Sequence, residues 1–498
     1  MNLKFYKLLS LALLFAFIGV IKFARPVAGS NDLRASVSAQ RAGELPPVQQ
    51  SKDENKSKPN KGSKGGKLSK LDSTLMAVLS QHGFTGSIES TLEDRLGRRI
   101  DAKRADLGRQ LWFDTITALN KDNSCSGCHA PTAGFGDTQS IAIGIESNGV
   151  VGRDRRGPRN QRRTPMAINT AFFPTLMWNS RFFSLSGDPF DNSAGFQFPL
   201  PEGLSLSNLP HLLVAQAHIP PVERNEAAGF DFPGDNFVLR TEVMRRLNEN
   251  DEYRKLFGQV FGEVRRGAPI DFEMFGKAIA EFEFTLTFAD APIDKFARGD
   301  RDEMTDEQKK GALLFFGKAN CAQCHTVAGN SNEMFSDFKQ HVVGVPQIFP
   351  RETNSVWDGE GGNEDFGLEQ VTQNPADRYL FRTSPLRNVA LQPTFFHNGS
   401  FNRLEDAVRH HLNVFQSARG YTPARLDRDL TGPLAPIEPV LARLDSLLVS
   451  PVHLTDDEFR QLVEFVRGGL LDPRAKPENL RKLIPKRVPS GRPVHVFQ

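Results

Sequence analysis

Apolar residues recur at three- and four-residue spacing in DFEMFGKAIAEFEFTLTF, where Phe275, Ile279, Phe282 and Leu286 share one face and predict an amphipathic helix. The same period in TDDEFRQLVEFVRGGL lines up Phe459, Leu462, Val463 and Val466, and Thr455 stands where an N-cap belongs. Both stripes read as core. LGRQLWFD, from Leu107, and KGALLFFG, from Lys310, each give Gly-x-x-Leu followed by aromatic or apolar residues. This internal repeat predicts two related helices and hence two similar units. The Pro- and Gly-rich stretches 183–210 and 347–373 read as loops wrapped over those units.

The longest apolar run, 8–21, has another meaning. Lys4 and Lys7 precede it and small residues around Ala28 and Gly29 follow, the pattern of a secretory signal or an uncleaved anchor. It is short for a membrane-spanning helix and Lys22 interrupts it, which favours export with cleavage at about residue 29. The expected compartment is the periplasm, with a membrane tether only if the signal is retained. Residues 30–72, including SKDENKSKPNKGSKGGKLSK, hold almost nothing able to build a core and predict a disordered linker. Net charge is +3 over 498 residues, too balanced to suggest nucleic acid.

Chemistry enters with the cysteines. The chain has four, and all fall in NSCSGCHA and NCAQCHT, two copies of Cys-x-x-Cys-His. Thioether attachment of haem uses all three residue types: two thiols bond the vinyl groups and the next histidine reaches the iron. A zinc site could take four thiolates, and a dithiol could do redox chemistry, but neither needs the following histidine twice. Two covalently bound c-type haems are therefore expected, one on Cys125, Cys128 and His129, the other on Cys321, Cys324 and His325. The fold class that follows is mainly α, with two cytochrome-c-like haem domains and long loops after a signal peptide and linker. The expected domains are 73–272, completed by 473–498, and 273–472.

Together with the haem motifs, NEAAGFDF, NDEYRKLFGQVFG, AIAEFEFTL and YLFRTSPLRNVALQPTFFHNGSFNRLEDAVRHH make the chain resemble the bacterial diheme cytochrome c peroxidases and the related methylamine-utilisation oxidase, which modifies tryptophans of a partner protein. The resemblance implies that hydrogen peroxide reacts at the N-terminal haem, with His129 as proximal ligand, and that the C-terminal haem transfers electrons. Where family peroxidases carry a removable distal histidine this chain has Ile145, and no histidine occurs between His129 and His211, so the first iron keeps an open face unless His211 or His218 swings in. The resemblance also implies Gln216 and Glu226 as the peroxide-handling pair, with Glu223 the nearest competitor, and Trp178 as the relay between haems. Asn169 matches a residue of an interdomain calcium site. At the second haem, opposite His325, the family's methionine position falls on His411, with His410 beside it. Neighbouring helical residues diverge by about 100°, so only one of the two can face the iron. His397 is expected near a haem propionate.

A second imidazole in place of methionine lowers the haem potential. That change favours peroxide-driven oxidation of a protein or organic substrate over peroxide removal with a small electron-transfer protein as donor. A diheme cytochrome without turnover is the reading outside enzymology, and an open first iron argues against it.

Overall fold

The computed structural model describes residues 69–198 and 206–498; the expected signal and the linker up to residue 68 lie outside the described residues. The first helix, α1 (Lys70–Gln81), begins inside the stretch assigned to the linker. Ser69 caps it by accepting from the Asp72 amide, and buried Asp72 pairs with Lys309 at 2.7 Å, which ties the helix to the body of the protein. No helix among the described residues is long and apolar enough to cross a membrane.

The architecture is mainly helical. Its frame consists of α2 (Ala102–Phe113), α3 (Leu212–Gln216), α4 (Asn236–Asn248), α5 (Asp251–Val260), α6 (Phe272–Thr285), α7 (Asp306–Phe316), α8 (Leu404–Leu412) and α9 (Asp456–Glu464). Side-chain oxygens cap the ends that matter most: Asp101 for α2, Asp271 for α6, and Thr305 and Thr455 in capping boxes for α7 and α9. Two helix crossings repeat. At Gly108, α2 lies so close to α6 that a Cβ would stand 1.9 Å from the Ala278 carbonyl oxygen; at Gly311, α7 meets α9 with the corresponding gap to Gln461 of 2.0 Å. The glycines of the sequence repeat are therefore the points of closest helix approach.

Each crossing anchors a core. One gathers Leu107, Leu111, Trp112, Phe275, Ile279 and Phe282, the other Ala312, Phe315, Phe459, Leu462 and Phe465. Helix α6 thus belongs to the core of α2, and a domain boundary at 272/273 would cut it from the unit it completes. The sequence stripe on α6 shows that it is buried but not which helix covers it. The C-terminal segment also returns to the first unit: strand β7 (Val496–Phe497) pairs in parallel with β1 (Val150–Val151), and Ser490 donates to Asp114 at 2.6 Å.

The described part of the 183–210 stretch, up to 198 and from 206, holds more regular structure than its composition suggests. Strands β2 (Thr175–Leu176), β3 (Phe182–Ser184) and β4 (Phe196–Gln197) form an antiparallel sheet in register Leu176↔Phe182 and Ser184↔Phe196. Phe182, Phe196 and Phe198 anchor it in a third apolar cluster. Aromatic burial here outweighs the turn residues. A further pair, β5 (Gln340–His341) with β6 (Phe381–Arg382), lies beside the second cavity.

Candidate active site

Both Cys-x-x-Cys-His segments are short helical turns whose histidine is turned inward by the chain that follows. His129 Nδ1 donates to the Phe135 carbonyl at 3.0 Å and His325 Nδ1 donates to that of Phe335 at 2.8 Å. This bond fixes the tautomer and leaves Nε2 free of the proton, as an iron ligand requires. Trp112 stands 5.5 Å from the His129 ring and Phe315 stands 6.4 Å from His325, so the repeated helices supply one aromatic wall each. All four cysteines are free, and burial pushes Cys125 and Cys321 up to about 12, opposite to the depressed thiol of a dithiol redox centre. Among the described residues no three His, Cys, Asp or Glu side chains converge on a metal-ion site, so the two cysteine pairs do not share a zinc.

Each motif opens on a cavity, of about 290 Å³ at the first and about 210 Å³ at the second. In the first, His129 is the only histidine of the lining among the described residues. His211 is held elsewhere: Nε2 donates to the Ala171 carbonyl and Nδ1 accepts the Leu213 amide. His218 Nδ1 donates to the Val214 carbonyl and its ring packs on Phe272. Ile145 is buried and donates its amide to the Asn225 carbonyl, which places it behind the cavity wall.

That wall is a π-helical turn, Arg224–Ala228. Gly144 lets it approach, since a Cβ there would lie 1.9 Å from the Asn225 carbonyl oxygen, and Asn123 beside the haem motif donates to the Glu226 carbonyl at 2.8 Å. Glu226 and Gln216 therefore reach the same cavity from separate elements. Burial first, then the neighbouring Glu223 carboxylate, raise Glu226 to about 7. Glu223 instead pairs with Arg181 at 2.9 Å.

The second cavity has two facing imidazoles. The rings of His325 and His411 lie 6.3 Å apart, a spacing that accommodates one metal ion at about 2 Å from a nitrogen of each. His411 Nδ1 donates to the Ala407 carbonyl at 2.9 Å, leaving Nε2 to face His325. His410 points away: Nδ1 meets Ser417 Oγ at 3.0 Å and Nε2 donates to the Val343 carbonyl at 2.8 Å. His397 is buried and stacks on Phe381 at 3.7 Å, and its Nε2 makes no hydrogen bond but lies 4.0 Å from Asp365 Oδ2.

Between the cavities the two units exchange backbone bonds. The Arg163 amide donates to the His397 carbonyl and the Arg382 amide donates to the Trp178 carbonyl, both at 2.8 Å, which makes Trp178 and His397 equivalent positions of the two units. Trp178 lines both cavities and its indole N–H donates to the Arg163 carbonyl at 2.8 Å. Arg163 and Arg382 also line both, and neither has a carboxylate at ion-pair distance among the described residues; burial lowers each to about 10. Asp137 acts on Arg163 only from beyond ion-pair distance, and two buried guanidiniums without a direct ion pair are costly unless an anion joins them. The residues fit haem with its propionates: thiols at one edge, a histidine on the face, cations between the cavities. Sequence reading missed both arginines, although RTPMAINTAFFPTLMWN and RTSPLRNVALQPTFFHN repeat each other. Asn169 is buried at φ +64°, and its carboxamide both donates to and accepts from the backbone of Phe288, at 3.0 and 2.6 Å.

Comparison with known proteins finds di-haem cytochrome c peroxidases among those the chain resembles. Residues 102–302 match the family model for di-haem cytochrome c peroxidase. The chain is 28% identical over 313 residues to the methylamine utilization protein MauG of Methylorubrum extorquens, covering 63% of this chain and 69% of that protein. It is 26% identical over 312 residues to the cytochrome c551 peroxidase of Pseudomonas aeruginosa, covering 63% and 72%. Among solved structures, a MauG-like protein associated with microbial copper homeostasis superposes with a TM-score of 0.53 at 22% identity, over 76% of this chain and 91% of that one. The diheme peroxidase BthA of Burkholderia thailandensis gives 0.51 at 20% identity, over 76% and 88%. The chain is a diheme oxidoreductase similar to the di-haem cytochrome c peroxidases, whose family model covers its residues 102–302.

Proposed function

We propose that the protein is a periplasmic peroxide-dependent oxidase that handles hydrogen peroxide in the first cavity and withdraws electrons from a protein or organic substrate by way of the second. Cys125, Cys128 and His129 would hold one haem; Cys321, Cys324, His325 and His411 would hold the other. When bound, the haems supply the iron at which peroxide is reduced by two electrons. Glu226, poised near neutrality, takes a proton from one peroxide oxygen and returns it to the other, so that the departing oxygen leaves as water. Gln216 orients the peroxide in the same cavity. Trp178, which walls both cavities, carries charge between them.

The observation that carries this reading is the asymmetry of the two cavities: one histidine with a buried acid in the first, two facing histidines in the second. Spectra of the oxidised holoprotein test it. One high-spin and one low-spin haem are expected, with a long-lived spectral change when peroxide is added. Glu226→Gln should slow that change by roughly 10²–10⁴, and Trp178→Phe should spare it while abolishing substrate oxidation. Two low-spin haems inert to peroxide would refute the proposal. Fast, saturable turnover with a reduced small cytochrome or copper protein would instead assign peroxide removal.

A further inference from the structure

The internal repeat exposes a difference that the peroxide reading does not use. Gly108 packs against Ala278 and Phe282, and Gly311 packs against Gln461 and Phe465. Phe282 stacks edge-on with Trp112 at 5.6 Å, as Phe465 does with Phe315 at 5.4 Å. The residue after each phenylalanine faces its own cavity: Val466 in the second unit and Glu283 in the first. A carboxyl stands where the sister unit has an isopropyl group.

Glu283 is 4% exposed, its Oε2 has no hydrogen-bond partner, and no cation is paired with it among the described residues. Its helical neighbour Glu281 shows the contrast. That buried carboxylate takes Arg98 at 2.6 Å, Arg104 at 3.6 Å and the Asp101 amide at 2.6 Å. Burial raises an unpaired carboxyl in such a place, here to about 8, so that its protonation responds to a change of charge beside it. Other charged or titratable groups face the same cavity. The π turn and its cap contribute Glu226 and Glu223, the 162–181 segment contributes Arg162, Arg163 and Arg181, the facing unit contributes Arg382, and the attachment motif contributes His129. His218 packs beside Gly276 on α6.

We propose that Glu283 is the redox-linked proton site of the first haem: it takes up one proton at its carboxylate when one electron enters that haem and releases the proton when the electron leaves. Charge then balances inside the cavity, because electron and proton arrive together, the electron from an external reductant and the proton from water. The second unit has Val466 in this place, so any pH dependence of its haem comes from other groups of its cavity, such as His341 and Asp445. The inference rests on haem attachment at Cys125 and Cys128, not on which haem meets peroxide.

Spectroelectrochemical titration of the full-length holoprotein at a series of pH values tests it, with haem content measured separately. In the parent, the potential of the first haem should fall as pH rises from 6 to 9. In Glu283→Gln most of that slope should vanish, while the slope of the second haem stays as it was. Glu283→Asp should keep the slope. A slope untouched by Glu283→Gln, or one removed by Glu226→Gln instead, overturns the proposal. Should the variants fail to retain haem, the parent's reduced-minus-oxidised infrared difference spectrum decides: a gained protonated-carboxyl band supports the assignment, and its absence refutes it.

Discussion

At the scale of single residues, ligand choice comes down to where a ring's second nitrogen is spent. His410 and His411 are adjacent and both buried, yet His410 uses both nitrogens on Ser417 and Val343 while His411 uses one on Ala407. A histidine with one committed N–H and one free nitrogen can bond a metal; one with both committed cannot without breaking a buried hydrogen bond. His411→Ala should therefore convert the second haem from low-spin to high-spin or water-ligated, read as a shift of its absorption and paramagnetic resonance spectra. His410→Ala should leave the low-spin signal and cost stability, about 1–3 kcal/mol for the Val343 carbonyl and Ser417 hydroxyl left unpaired. A low-spin second haem in His411→Ala would remove α8 from the iron.

At the scale of elements, what was legible in the sequence is what periodicity encodes. The stripes of α6 and α9 and the cap at Thr455 follow from spacing alone, and the glycines of the repeat mark the two helix crossings. Partner choice is not periodic, which is why α6 reads equally well as the start of the second domain. The π turn that carries Glu226 has no local signature, since its shape depends on Gly144 and Asn123 from distant segments. Glu283 was hidden because a single acid next to a core stripe normally faces solvent. The crossings can be tested directly. Gly108→Ala and Gly311→Ala should each force the helices apart and lower stability by about 1–3 kcal/mol or more, measured by denaturant unfolding. Gly258→Ala in α5 is the contrast: its Cβ would meet nothing nearer than 3.5 Å, so helix propensity should make it neutral or stabilising by up to about 1 kcal/mol.

At the scale of the whole molecule, the buried titratable groups pull in opposite directions. Burial lowers His211 and His410 to about 3 and His495 to about 4, so between those values and the ordinary histidine pKa near 6.5 the unfolded chain binds more protons than the folded one. Stability rises with pH across that window. Glu226 and Glu283 do the reverse. Their folded values, about 7 and about 8, exceed the ordinary 4.5, so the folded protein holds more protons and stability falls as pH climbs from 4.5 toward 8. Above about 6.5 these lowered histidines contribute nothing further, and the two carboxyls act together with His341, whose burial is outweighed by hydrogen bonds to Asp337 and Asp445 that raise it to about 11, so that it adds to the fall. Thermal unfolding of the holoprotein should therefore show Tm rising from pH 3.5 to about 5, changing little to about 6.5, and falling between 6.5 and 8. The double variant Glu226→Gln, Glu283→Gln should keep the acid limb and show a shallower alkaline fall, the remainder coming from His341, because an amide of the same shape has no proton to surrender. A parent whose Tm still climbs between pH 6.5 and 8 would show that these two carboxyls are already ionised in the folded protein, with counter-charges other than those their cavity presents.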